Sequence, residues 1–167
     1  PSARTVQLEL PPFTLIAATT RISMLSAPLR SRFSGGTFRL AYYTDDEITE
    51  ILRRSSKILG IAADEESVHE IARRSRSTPR TANYLLKRAR DFAEVSEQPL
   101  NIQTVKKALA LLEIDEGGLN QTDRDILNII VEKFNGGPVG LKTIAASLSE
   151  EEATIENLET RLKLYKI

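Results

Sequence analysis

Apolar and polar positions alternate along the start of this chain, then fall into a helical period. Over residues 5–10, Val6, Leu8 and Leu10 share one face and Thr5, Gln7 and Glu9 the other, which predicts a half-exposed strand. Pro11-Pro12 ends it. The continuous run Phe13-Thr-Leu-Ile-Ala-Ala18 predicts a strand buried on both faces, as in parallel α/β sheets. From residue 44 the spacing changes. Thr44-Asp-Asp-Glu47 is a capping box opening a helix with Ile48, Ile51, Leu52 and Leu59 along one stripe, and Gly60 suits its C-terminal cap. Asp64 can cap a second helix carrying Val68, Ile71 and Ala72. Thr78 can cap a third, with Pro79 at its first position and Ala82, Leu85, Leu86, Ala89, Phe92 and Ala93 inward. Val105, Ala108, Leu109 and Leu112 form the stripe of a fourth.

Asp115-Glu-Gly-Gly118 reads as a linker with nothing to bury. Beyond it Thr122 begins a helix with Ile126, Ile129, Ile130 and Phe134 inward, stopped by Gly136-Gly-Pro-Val-Gly140. Leu141, Ile144, Ala145 and Leu148 give a short second helix. Ser149-Glu-Glu-Glu152 is a further capping box, before Ile155 and Leu158. Three compact helices with a tight turn are similar to a helix-turn-helix.

Composition narrows the class. The 167 residues allow one or two small domains, and 41% hydrophobic with 28% charged residues is ordinary for a globular protein. No apolar run approaches the ~18 residues of a membrane span, and no signal-peptide pattern appears. The absence of cysteine excludes disulfides and cysteine-held metals. Zero formal net charge argues against strong non-specific nucleic-acid binding but leaves room for a local basic patch.

Candidate chemistry sits at a few places. Thr19, Thr20 and Arg21 follow the buried run, where open α/β sheets bind ligands at the carboxyl ends of strands. Arg30 and Arg32 lie on a loop beside Phe33. A plain buried strand and a surface loop are the alternative for these residues. Arg80 stands at about the second position of its helix, where its charge opposes the helix dipole. With the first-turn amides it would clamp a phosphate, and a solvated surface arginine is the alternative. Arg73, Arg74, Arg76, Lys87, Arg88 and Arg90 concentrate positive charge, best read as a solvated, ion-paired face. His69, the only histidine, lies on a polar face and reads as solvated. Glu150, Glu151 and Glu152 would repel DNA phosphates from the start of the last helix.

A strand ending in hydroxyls, followed by Pro28-Leu-Arg-Ser-Arg-Phe33, resembles the second half of an AAA+ ATPase core. Ile71-Ala-Arg-Arg-Ser-Arg-Ser-Thr-Pro-Arg-Thr-Ala-Asn83, Leu85-Leu-Lys-Arg-Ala-Arg-Asp-Phe-Ala-Glu-Val95, Leu119-Asn-Gln-Thr-Asp-Arg-Asp125 and Lys133-Phe-Asn-Gly-Gly-Pro-Val-Gly-Leu141 follow in order. Together, over roughly residues 2 to 157, they closely resemble the RuvB family of bacterial Holliday-junction branch-migration motors. The resemblance implies a mainly α fold: a two-strand remnant of an AAA+ α/β core at 1–43, a four-helix AAA+ lid at 44–115, and a winged-helix DNA-binding domain at 116–167.

It also implies roles. Thr20, or the adjacent Thr19, would be the sensor-1 residue at the γ-phosphate. Arg32, or Arg30, would be an arginine finger acting on the neighbouring subunit of a hexameric ring; apart from the resemblance, the ordinary alternative for one of the two is a salt bridge within its own domain. Arg80, preceded by Thr78 and Pro79, would be the sensor-2 arginine. The implied cofactor is ATP or ADP with Mg²⁺. The implied partners are Holliday-junction and duplex DNA, further copies of the chain, RuvA through a hairpin of which residues 5–10 are one arm, and RuvC. No membrane contact is implied, and the cytoplasm is the expected location.

Several features depart from the family. The family usually has Gly where Ser77 stands. No G-x-x-x-x-G-K-[ST] phosphate loop occurs, nor an acidic metal-binding motif after an apolar strand. The site is therefore incomplete in these 167 residues, which by themselves are expected not to hydrolyse ATP. Leu158-Glu-Thr-Arg-Leu-Lys-Leu-Tyr-Lys-Ile167 lacks the family's expected wing, as though residues 158–167 were not contiguous with what precedes them. Competing readings are a non-catalytic lid plus winged-helix adaptor that binds DNA or protein, or another clamp-loader-like AAA+ protein.

Overall fold

A computed structural model describes residues 10–33, 35–149 and 155. The strand expected at 5–10, apart from Leu10, lies outside these residues. So do Glu150, Glu151 and Glu152 of the last capping box, and Leu158 with the whole of 158–167. The chain divides after Leu40 into two units.

In the first unit, the expected buried strand at 13–18 does not form. These residues are irregular and exposed, Ile16 to 91%. A strand buried on both faces needs neighbours on both edges and covering helices, and among the described residues none stands beside it. The unit contains a 3-10 turn, Ile22–Met24, and α1, Ala27–Ser31, which has a proline in its first turn.

The second unit begins with four helices that form as their local sequence dictates. At α2, Asp45–Leu59, the Glu47 amide donates to Thr44 Oγ1 at 3.3 Å and the Thr44 amide to Glu47 Oε2 at 2.8 Å. Gly60 closes it in the left-handed conformation, φ 64°. At α3, Glu65–Arg73, Asp64 Oδ1 accepts from the Ser67 amide. Next comes α4, Pro79–Val95. Asn101 caps α5, Ile102–Leu111, by accepting from the amides of Gln103 and Thr104.

Their stripes meet in one core: Ile48 and Leu52 from α2, Val68 and Ile71 from α3, Leu85, Leu86 and Ala89 from α4, Val105 and Leu109 from α5. Each fully buried Leu, Ile or Val contributes about 1.5–3 kcal/mol relative to exposure. Ile51 and Leu112 lie at its edge, while Leu59 is exposed because the stripe has rotated away by the last turn. An isolated parallel bridge, Ala63 to Leu100, ties the approaches to α3 and α5.

Two further helices follow, α6, Gln121–Phe134, and α7, Leu141–Leu148. The start of α6 falls one residue before the expected Thr122. Asn120 caps it, with Asp123 completing the capping box. Asn135, rather than a glycine, takes the left-handed cap position at its end, φ 51°. Ser149 ends α7 in the left-handed conformation. Ile126, Ile144, Ala145 and Ile155 form a second, separate core. Among the described residues the architecture is mainly helical and contains no β-sheet, so the expected two-strand remnant is absent there.

The Asp115–Gly118 segment is not the free tether its composition suggested. Asp115 Oδ1 accepts from the amides of Gly117 and Leu119 at 2.9 and 2.8 Å. Gly118 is buried at φ 77°, and a Cβ there would stand 2.9 Å from the Arg74 carbonyl oxygen. Glycine here allows both the left-handed backbone and the close approach of two chain segments.

Candidate functional site

Arg80 occupies the second position of α4 and is exposed, with no ion pair among the described residues. The helix start around it is open. Thr78 has the extended backbone of an N-cap, but its hydroxyl does not reach the helix amides as expected. It lies 3.3 Å from the Ser75 carbonyl oxygen and 2.8 Å from Thr81 Oγ1 instead. Held toward these two oxygens, the hydroxyl makes no cap hydrogen bond to the first turn. Pro79 supplies no amide, and its carbonyl accepts from Asn83 Nδ2 at 2.8 Å. No acidic residue stands in the first turn. The first turn of α4 thus carries the positive end of the dipole and an arginine, with no acidic residue of its own.

The segment before α4 is held from two sides. Arg76 and Ser77 are both left-handed, φ 58° and 54°. For a residue with a side chain this conformation costs about 1–2 kcal/mol. At Ser77, where the resemblance implies Gly, the left-handed backbone is one that glycine adopts without this cost.

Arg76 Nε donates to the Gly118 carbonyl at 2.9 Å, and its Nη2 lies 2.6 Å from Asp123 Oδ2. The two side chains are only 11% and 3% exposed. The same carboxylate oxygen accepts from the Asn120 amide at 3.0 Å, inside the α6 capping box. Removing one partner of such a buried pair costs about 3–5 kcal/mol, because the other charge is left uncompensated.

Arg74 is buried against Glu70, which also takes Arg73 at 3.0 Å. Burial pushes the Glu70 carboxyl upward, but hydrogen bonds and charge from Arg74 and Arg73 prevail and hold it below the ordinary carboxylate range. Arg74 and Arg76 are thus structural cations within the fold rather than members of a solvated face. Arg73, Arg88 and Arg90 do form the expected ion pairs near the surface. His69 is exposed, as expected.

The first unit carries the other candidates. Thr19 Oγ1 accepts from the Arg21 amide at 3.0 Å, and Thr20 is exposed beside it. Arg30 lies in the last turn of α1, and Arg32 is its C-terminal cap. Both arginines are exposed. Neither forms an ion pair among the described residues, so the salt bridge expected for one of them is absent there. No hydrogen bond or ion pair among those residues joins either threonine to either arginine.

Sequence reasoning missed the Arg76–Gly118–Asp123 tie. The available signals were an acidic residue at the third position of α6 and an arginine beside a position that favours glycine.

Three family models match the chain in succession. The Holliday junction DNA helicase RuvB P-loop domain matches residues 1–40, the RuvB AAA lid domain 43–115, and the RuvB C-terminal winged helix domain 116–162. The chain belongs to the RuvB family. Among relatives, a Lacticaseibacillus casei Holliday junction branch migration complex subunit RuvB is 57% identical over 159 residues, covering 95% of this chain and 47% of the relative. The Dehalococcoides mccartyi subunit of the same description is 54% identical over 156 residues, covering 93% of this chain and 44% of its own. The solved Thermotoga maritima RuvB Holliday junction branch migration motor superposes with a TM-score of 0.80 at 44% identity, covering 87% of this chain and 49% of that one. The chain spans about half the length of the relatives it matches.

Proposed function

We propose that this chain is part of a subunit of an ATP-driven motor that migrates Holliday junctions. It would supply the tail of an AAA+ core at 1–43, a lid at 44–115 and a winged-helix DNA-binding module at 116–167. The observation that carries the reading is the open start of α4, with Arg80 at its second position, in a chain where RuvB modules follow one another in order.

Arg80, with the amides behind Thr78 and Pro79, would hold the terminal phosphate of ATP from the lid. Thr20, or Thr19 beside it, would hydrogen-bond that phosphate or the attacking water, being able to donate or accept at neutral charge. Arg32, or Arg30, would supply fixed positive charge to the ATP of the adjacent subunit as charge develops on the transferred phosphoryl. Magnesium bound with ATP would neutralise the phosphates. Among the described residues no group of three or more His, Cys, Asp or Glu could hold a metal ion. Junction and duplex DNA, further copies of the chain in a hexameric ring, RuvA and RuvC are the proposed partners, in the cytoplasm. No described helix is long and apolar enough to cross a membrane.

The test is a chimera in which this chain replaces the matching part of the Lacticaseibacillus casei relative. ATP turnover and junction migration should both survive the replacement, and both should collapse with Arg80→Ala. Migration by the Arg80→Ala chimera at the unsubstituted rate would sink the reading. The 167 residues by themselves should show no ATP turnover above a denatured control.

A further inference from the structure

No extensive helix–helix packing among the described elements joins α6 and α7 to the four-helix bundle. The two cores share no residue. What connects them is polar and local. Arg76 grips the Gly118 carbonyl and Asp123. Arg74 Nη1 reaches the Ile114 carbonyl at 3.4 Å. Arg124 Nη1 donates to the carbonyls of Glu113 and Leu119, each at 3.0 Å. Of these side chains Arg76 stands nearest to α4 in the turn that enters it, four residues before Arg80, and it is one of the two left-handed residues there.

We infer that Arg76 is a positioning residue: a rigid strut that fixes the start of α4, and hence Arg80, against the N-terminus of α6. A tilt of α4 is thereby passed to the C-terminal helices rather than absorbed by a loose linker. The inference deepens the reading of Arg80 as a phosphate sensor and rests on it for its functional part.

The geometry favours transmission over simple attachment. A left-handed pair at Arg76 and Ser77 leaves the turn little freedom to relax, since few neighbouring conformations are allowed to residues with side chains. The guanidinium is planar and holds two acceptors at once, a backbone carbonyl and a carboxylate, so it fixes orientation as well as distance. Asp123 in turn is locked by the Asn120 amide. A point cation on a flexible stem could keep the attraction but not the direction.

Hydrogen exchange on the 167-residue chain tests the strut without any nucleotide chemistry. Asp123→Asn keeps an oxygen for the Asn120 amide but removes the charge facing Arg76. The protected amide of Ala82, which donates to the Thr78 carbonyl in the first turn of α4, should then exchange roughly tenfold faster or more, the scale of a lost charge-assisted hydrogen bond. Arg76→Lys should produce the reciprocal effect at Arg124, whose amide donates to the Asn120 carbonyl in the first turn of α6. The double variant Arg76→Met/Asp123→Asn, which leaves no buried charge unpaired, should add little to either single change. A response confined to the helix bearing the substitution would overturn the strut, and so would equal acceleration of every protected amide.

In the chimera, Arg76→Lys should lower base pairs migrated per ATP several-fold, beyond any change that the loosened start of α4 makes to ATP binding or turnover. Turnover and migration falling in proportion would overturn transmission. A chimera inactive even without substitution would sink the functional reading, while the exchange experiment still decides the strut.

Discussion

Glu70 lies buried between two arginines, and its negative charge keeps that arrangement stable. Its carboxyl is held below the reference value of 4.5 despite burial. A carboxylate with a lowered folded-state value stabilises the fold above its unfolded value, and that contribution is lost as pH falls through the folded one. Glu70→Gln should therefore lower stability by about 3–5 kcal/mol at pH 7, because Arg74 is left buried without its counter-charge. The gap between wild type and variant should narrow below about pH 4.5, where the unfolded carboxyl begins to take up its proton. Urea midpoints at pH 7 and pH 3 measure this, and a gap that widens in acid would contradict it. Arg32 makes the opposite case, since an exposed arginine without an ion pair among the described residues adds little to the fold. In the chimera, Arg32→Ala should leave ATP binding nearly intact while hydrolysis falls by up to the ~10³–10⁵ attributed to such fingers. Mixing it with a phosphate-loop variant should restore some activity, through interfaces that pair an intact site with an intact Arg32. No rescue on mixing would move the role to Arg30 or out of this loop.

The contrast between α2 and α4 shows what an element's sequence can and cannot announce. At α2, Thr44 and Glu47 are three residues apart and satisfy each other, so the cap was legible from spacing alone. Asp64 was legible as a one-way cap from residue type and position, whereas sequence reasoning missed Asn101 as the cap of α5. Thr78 has the right residue type, yet its hydroxyl is held toward the Ser75 carbonyl and Thr81 Oγ1 instead of the first-turn amides. That competition depends on the backbone conformation of the preceding residues, which composition does not specify. Thr78→Asp should supply the missing cap. It should raise the stability of this chain by about 0.5–2 kcal/mol, read as a higher Tm, while weakening ATP binding by the chimera through charge repulsion. An unchanged Tm would mean that the first turn is already satisfied. The apolar stripes of all four bundle helices were legible because burial follows the helical period. The run at 13–18 was misread for a related reason. Its pattern is that of a buried strand, but a pattern makes a strand only when other strands are there to accept its hydrogen bonds.

At the scale of the molecule, the Arg76–Asp123 contact joins residues far apart in sequence, so no local pattern could reveal it. It changes where the chain should yield. Asp115–Gly118, with its acidic and glycine residues, reads as a protease target, yet its backbone is hydrogen-bonded and Gly118 is covered. Residues 10–21 are exposed and outside any helix or strand. Limited proteolysis followed by mass spectrometry should therefore cut within 10–21 before it cuts at 115–118. First cleavage at Gly117 or Gly118 would show that the turn opens freely. The same exposed stretch carries Phe13, Leu15 and Ile16, so removing residues 1–40 should also reduce self-association during purification.

The glycine turn also sets a rule about length. A flexible tether tolerates extra residues, since each doubling of a loop adds only about 0.6 kcal/mol. Here the carbonyl of Gly118 is an acceptor for Arg76, its Cα side faces the Arg74 backbone, and the Asn120 cap of α6 follows two residues later. One residue inserted between Gly118 and Leu119 would put the two Gly118 contacts out of phase with the Asn120 cap. The turn behaves as a keyed joint whose register is part of its function. Insertions and fusion points belong elsewhere in the chain, and natural length variation should avoid this position even though its composition invites it.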